Sequence, residues 1–399
     1  MRKKKTQQIQ QEMDLRIKAP KKSKKIWRNI IIALINVAVI TVILLVEIYG
    51  KENTILDKDI LTTLNKNFRF LIYAAICGIG IIFFESIKYT FMLFATTKRL
   101  RPITGIKTAI IGKYYDFITP LGSGGQPFQM VYLSKDKHLP TGISTSIPLV
   151  GMILFQCAFF VFAIASFIVF DSIDVGGWTV PVTIRVLAII GAILNLLFPA
   201  LILLFLRHPK ITKKMVAWFV NIGYKLHLVK NFEKTNAKIN DSVDEYCSSM
   251  KLLSGDWPVL VLGFVCGLGQ TLSTCLISYF VVRAFGEVIN PMVMVCLTMF
   301  AWSAVAFVPT PGNSGAAEAG FYAVFSTLSS PFWATMLWRF FGYYMILIIG
   351  LLVIIGTPIK RNIASRKKVT INQKEMQQQK NSADELKEDN VEQLAMDIS

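Results

Sequence analysis

Charge is what this sequence has least of. Only 17% of its 399 residues are Asp, Glu, Lys or Arg, against 53% hydrophobic, and mean hydropathy is +0.50. Soluble domains carry about a quarter charged residues, so this composition excludes a soluble fold of this size and implies lipid as the solvent. Histidine is nearly absent: His138, His208 and His227 lie in polar flanks, without the spacing of metal ligands. The six cysteines, Cys77, Cys157, Cys247, Cys266, Cys275 and Cys296, form no CxxC pair. That excludes a zinc ribbon or a disulfide framework and leaves them as small apolar side chains in helices. There is no GxSxG, HExxH or P-loop, so the sequence names no catalytic residue, no metal and no cofactor.

What is present is a series of apolar windows long enough to cross the roughly 30 Å of a bilayer core, which takes about 20 residues each. The formal charge of +18 would suggest nucleic acid in a soluble protein. Here the basic residues gather at the ends of apolar windows, which is how topology is encoded, and no direct nucleic-acid partner is expected. Lysines and arginines crowd residues 1–27, and Lys360, Arg361, Arg366, Lys367 and Lys368 follow the last window. Both termini are therefore expected in the cytoplasm, with a polar, disordered tail over residues 357–399. The first window, residues 29–46, has no charge and no small-x-small cleavage site after it, so it reads as a retained span rather than a signal peptide.

The spans fall in order at about residues 28–47, 68–94, 140–170, 182–206, 257–282 and 332–355. Residues 207–251 are rich in Lys and read either as an amphipathic helix on the inner surface or as a solvated connector. Two further stretches are too interrupted to be simple spans. Residues 105–119 run into Pro120-Leu121-Gly122-Ser123-Gly124-Gly125, and residues 291–308 into Pro309-Thr310-Pro311-Gly312-Asn313-Ser314-Gly315. Each half is too short to cross, so each stretch is expected to enter the membrane, break and return on the side it came from. The fold expected is an all-α integral membrane protein of about six full spans plus two re-entrant broken helices.

The two breaks share a pattern. Thr119-Pro120-x-x-Ser123-Gly124 and Thr310-Pro311-x-x-Ser314-Gly315 match at an offset of 191 residues. The same offset carries Gly78 to Gly269, Phe94 to Phe285, Pro140 to Pro331 and Gly151 to Gly342 without a gap. Repeat 1 is thus expected over about 68–170 and repeat 2 over about 259–356. Three spans separate the breaks, so the copies face opposite ways, the inverted-topology plan of many transporters, with substrate near the midplane between them.

Candidate site residues follow from that plan. Ser123 is placed to cap the half-helix after the first break, with Gln126 completing a capping box. The N–H groups of Gly124, Gly125 and Gln126 offer an anion cradle suited to a lipid phosphate. Ser314 and Gly315 occupy the matching turn. Glu318 either complements the helix dipole, meets an aminoacyl ammonium or pairs with Arg339, the lone charge of the last span. Glu85 with Lys88, and Lys113 with Asp116, are each three apart on one helical face, spaced for salt bridges or for lining an entrance. Arg283 reads as an interface anchor.

Thr119-Pro-Leu-Gly-Ser-Gly-Gly-Gln126 and Val308-Pro-Thr-Pro-Gly-Asn-Ser-Gly-Ala-Ala-Glu318 resemble the two signature turns of the lysylphosphatidylglycerol synthase transmembrane, flippase-like family, over about residues 28–356. The resemblance implies the membrane part of the bacterial multiple peptide resistance factor, which moves aminoacylated phosphatidylglycerol between leaflets. In that family a separate cytosolic domain makes the lipid from lysyl-tRNA. The expected partner is phosphatidylglycerol or its lysyl derivative, with a separate transferase supplying the lysyl group, and the expected outcome is resistance to cationic peptides. Gln126 stands where relatives often carry Glu, a departure from the motif. A phosphatidylglycerol lysyltransferase and a non-transporting scaffold are the alternatives. The identity of the lipid, the energy source and homo-oligomerisation stay open at this stage.

Overall fold

The computed structural model describes residues 58–356, apart from residues 121, 123, 175, 176, 179, 307, 329 and most of 208–254. The basic N-terminus, the expected first span and the tail from residue 357 lie outside the described residues. By contact the chain divides into Met1–Gly350 and Leu351–Ser399. Of the second unit, residues 351–356 are described, and they are helical.

The described elements are helices: α1 (Lys58–Lys66), α2 (Phe68–Thr97), α3 (Pro102–Ile118), α4 (Gly125–Val131), α5 (Thr141–Phe170), α6 (Val182–Arg207), α7 (Trp257–Ala284), α8 (Pro291–Val305), α9 (Ala316–Val324) and α10 (Pro331–Arg339). A π-turn, Tyr132–Asp136, extends α4, and another, Phe340–Tyr344, follows α10. Five stretches are long and apolar enough to cross a membrane: α2, Val182–Leu201 within α6, α5, α7 and Pro331–Gly356. These are five of the six expected full spans, and the chain is a multi-pass membrane protein. α1 was not foreseen; its polar sequence KDILTTLNK hides it from a search for apolar windows.

The spanning helices carry large apolar side chains on their exposed side as well as on their buried one, the pattern of helices that face lipid. Along α2 the exposed Ile72, Ile76, Ile79 and Phe83 recur every three or four residues, one helical stripe, while Ala74, Ile81, Tyr89 and Met92 are buried. In hydrocarbon, burial of apolar surface drives no association, so helices are held by close packing and by polar contacts. Small residues let the backbones approach. A Cβ on Gly105 would lie 2.8 Å from the Thr90 backbone nitrogen, which fixes α3 against α2. A tight cluster of Tyr89, Met92, Leu93, Ala109, Leu133 and Ile147 then locks α2, the first broken hairpin and α5 together.

The offset of 191 holds element by element. α2, α3, α4 and α5 correspond to α7, α8, α9 and the span Pro331–Gly356, and the π-turn after α4 corresponds to the 3-10 turn Phe325–Thr327. The agreement reaches the backbone dihedrals. Gly122 and its counterpart Asn313 both have positive φ, +58° and +56°, and each closes a turn by donating its N–H, to Thr119 O at 3.3 Å and to Thr310 O at 3.0 Å. Among the described residues, three helices long and apolar enough to cross a membrane, α5, α6 and α7, lie between the two breaks.

Candidate functional site

The two breaks meet. Pro120 and Pro311 form an antiparallel backbone bridge, and these two prolines are equivalent under the repeat offset. Antiparallel pairing of equivalent residues places a local two-fold axis through the bridge. Two prolines can face each other only as a non-hydrogen-bonded antiparallel pair, which needs no N–H from either, and each proline also ends the helix before it. The halves are tied again where the Tyr343 hydroxyl donates to Phe117 O at 3.0 Å, with the two rings 4.8 Å apart.

Each break is held by a carboxylate, but by a different one in each repeat. In repeat 2 the Gly315 N–H donates to Glu318 Oε2. Glu318 in turn pairs through Oε1 with Arg339 Nε, the side chains being 5% and 1% exposed. The pair is close without being aligned as a hydrogen bond. Arg339 also donates to Gly312 O at 2.9 Å and Ser314 Oγ at 3.0 Å, and its guanidinium lies 4.2 Å from the Tyr343 ring centroid. Two of the readings weighed for Glu318 are present together: it sits in the first turn of α9, accepting from the Gly315 N–H, and it pairs with Arg339. Gly312 has φ +58° and Gly315 +86°, conformations that glycine adopts without a Cβ penalty.

In repeat 1 the Gly125 N–H donates to Asp116 Oδ1 at 2.8 Å, and the Gly124 N–H to Thr119 Oγ1 at 2.8 Å. This corrects the expected anion cradle, since two of its three N–H groups are already bonded to side chains of the preceding helix. The expected capping box falls on Ser123, and α4 starts at Gly125 behind Gly124. Ser123 is outside the described residues, and Gln126 is half-buried. What the sequence pattern missed is a competitor inside the protein. A short break followed at once by a half-helix brings the end of α3 within reach of the start of α4.

Glu85 and Lys88 form the expected ion pair at 3.1 Å, 7% and 1% exposed at the side chains, and Lys88 also donates to Gly151 O at 3.1 Å. Asp116, by contrast, turns to the Gly125 N–H, and Lys113 places its ammonium 4.8 Å from the Phe155 ring centroid. The Arg283 guanidinium sits 5.1 Å from the Phe70 ring centroid.

A cavity of about 240 Å³ opens beside the paired breaks. The first hairpin contributes Lys113, Asp116 and Gly122, the second break Gly312 and Asn313, and the last span Arg339 and Tyr343. Of the residues expected to bind a headgroup or line an entrance, Arg339, Lys113 and Asp116 reach this wall. Gly124, Gly125, Ser314, Gly315 and Glu318 shape the breaks behind it, and Gln126, Glu85 and Lys88 do not line it. Sequence reasoning missed a neutral polar set on the same wall: Gln156, Asn195, Gln270, Thr271 and Thr274. Their signal was amide and hydroxyl side chains inside apolar spans, passed over in a search confined to charges. Among the described residues no His, Cys, Asp or Glu cluster is arranged for a metal ion.

A family model described as the lysylphosphatidylglycerol synthase TM region matches residues 30–350. No curated protein and no solved structure matches the chain.

Proposed function

The chain belongs to the lysylphosphatidylglycerol synthase TM family, and from that premise we propose that it is a lipid translocator. It binds the headgroup of a phosphatidylglycerol-class phospholipid, lysylated or not, between its two broken helices and passes it from one leaflet to the other. The observation that carries this reading is the Pro120–Pro311 bridge beside a cavity lined from both repeats. Broken helices with irregular backbone are tolerated at membrane depth where they are buried in protein or line a polar cavity. The two hairpins dip in from opposite faces. In inverted repeats, exchanging the conformations of the two copies turns a site open to one side into a site open to the other, about a fixed centre. The centre here is the pair of equivalent prolines. Acyl chains stay in the surrounding lipid while the headgroup occupies the cavity.

In a bacterial plasma membrane with both termini cytoplasmic, moving a lysylated lipid outward lowers the negative charge of the surface and weakens binding of cationic peptides. A separate transferase supplies the lysylated lipid in that setting. The test is a leaflet assay in proteoliposomes with fluorescent phosphatidylglycerol. The proposal expects protein-dependent exposure of the lipid, competition by lysylphosphatidylglycerol and loss of exposure with Glu318→Gln. Unchanged lipid asymmetry would leave a scaffold role instead, and lysyl-lipid made by the purified chain from lysyl-tRNA would replace translocation with transfer.

A further inference from the structure

The charges in and behind the cavity wall come in opposite pairs. Arg339 is matched by Glu318, and Lys113 shares its helical face with Asp116, three residues on, both of them lining the cavity. Each cation of the wall thus has a carboxylate close by, which weakens its hold on an anion taken out of water.

The polar capacity that remains is neutral. The Thr271 hydroxyl donates to Gly267 O and the Thr274 hydroxyl to Gln270 O, both at 3.0 Å. A hydroxyl has one proton, so each of these presents only lone pairs to the cavity. Gln270 is 2% exposed and lines the cavity, and its Oε1 has no hydrogen-bond partner. The terminal amide torsion is soft, so the carboxamide can turn to present either its oxygen or its NH2 to a ligand. One stretch of α7 thus offers three acceptors and an amide donor. Trp302, from α8, lines the same cavity with an indole N–H that also lacks a partner, a donor only.

These groups select among headgroup chemistries. On the α7 side a phosphate sets acceptors against acceptors, and the two cations of the wall are engaged elsewhere, Arg339 with Glu318, Gly312 O and Ser314 Oγ and Lys113 over the Phe155 ring; an ammonium is a donor whose full charge calls for a carboxylate. The one carboxylate on the wall, Asp116, is already bonded to Gly125 and stands beside Lys113. A hydroxyl donates to Gln270 and accepts from Trp302 with the same oxygen. Rings of Phe155, Trp302, Trp338 and Tyr343 complete the wall and offer flat surfaces to C–H groups. At about 240 Å³ the space is below the roughly 300–1,000 Å³ of sites for drug-sized ligands, and it admits a headgroup without its acyl chains.

We infer that the cavity seats an uncharged polyhydroxyl group, the glycerol or sugar end of a lipid headgroup, hydrogen-bonded to Gln270, Thr271, Thr274 and Trp302. The inference rests on reading this cavity as the headgroup site, and it seats the phosphate and any ammonium of the headgroup away from these four side chains.

The test uses the purified full chain in a detergent without hydroxyl groups, with tryptophan fluorescence as the readout, since Trp302 and Trp338 line the cavity. Four short-chain lipids are titrated: phosphatidylglycerol, a glucosyl diacylglycerol, phosphatidic acid and phosphatidylethanolamine. The first or second, or both, should bind about tenfold more tightly than the last two, the gain expected from one or two satisfied buried hydrogen bonds. Preference for phosphatidylglycerol identifies the glycerol source, and preference for the glucosyl lipid the sugar source. Gln270→Leu, and separately the double change Thr271→Val with Thr274→Val, should remove that preference while leaving phosphatidic acid binding unchanged. Equal binding of all four lipids, tightest binding of phosphatidylethanolamine, or a preference untouched by both variants would overturn the polyhydroxyl assignment and leave lipid binding intact. Absence of any lipid response would remove the headgroup site itself.

Discussion

Replacing Arg339 by Leu removes one side chain on which two others and a backbone carbonyl depend. The Glu318 carboxylate, 5% exposed, loses its cation, and Gly312 O and Ser314 Oγ lose the donor that fixes the second break. Breaking a buried ion pair by removing one partner costs about 3–5 kcal/mol, because a charge is left without compensation. At about 2–4 °C per kcal/mol for larger domains, the lower bound corresponds to a fall of roughly 6–12 °C in melting temperature. The readout is a thiol-reactive dye in detergent, which reports exposure of the buried Cys266, Cys275 and Cys296 on unfolding. Adding Glu318→Gln to the Leu variant should recover a substantial part of the loss. A glutamine still accepts from the Gly315 N–H and brings no charge. A fall below about 2 °C for Arg339→Leu, or a double variant as unstable as the two single losses added together, would refute the view that this pair braces the break.

Gly105→Ala puts a Cβ 2.8 Å and 2.9 Å from the backbone N and Cα of Thr90; since backbone cannot withdraw as a side chain can, a loss of about 1–3 kcal/mol is expected in the same melting assay. Tyr343→Phe deletes the hydroxyl that reaches Phe117 O from the other repeat, which should cost about 0.5–1.5 kcal/mol and lower the rate of lipid exposure in proteoliposomes. Asn313 sits at φ +56°, so Asn313→Gly should match or exceed the parent in melting temperature, whereas Asn313→Val should lose about 1–2 kcal/mol.

The sequence was most legible where physics leaves few solutions. Long uncharged windows in lipid must be helices, and the offset of 191 between the two Thr-Pro motifs carried through to matching helices and turns. Glu318–Arg339 and Glu85–Lys88 were readable because an unpaired charge in a span is expensive. The first break was harder. Spacing says that Gly124 and Gly125 have spare N–H groups at a helix start, but the competing acceptors, Thr119 and Asp116, arrive only when the chain folds back. The acceptor face of α7 was also hidden, because Gln270, Thr271 and Thr274 look unexceptional until the cavity shows what they face.

Everything functional above depends on the two breaks touching at Pro120 and Pro311. The direct test is to change both prolines to Cys in the full chain, oxidise intact membranes and map disulfide-linked peptides by mass spectrometry. Contact at the bridge predicts an intrachain link between positions 120 and 311, formed without denaturant and lost on reduction. If residues 120 and 311 stay unlinked while each, in its single variant, reacts freely with a membrane-impermeant thiol reagent, the breaks lie apart at the water boundary and the shared site does not exist.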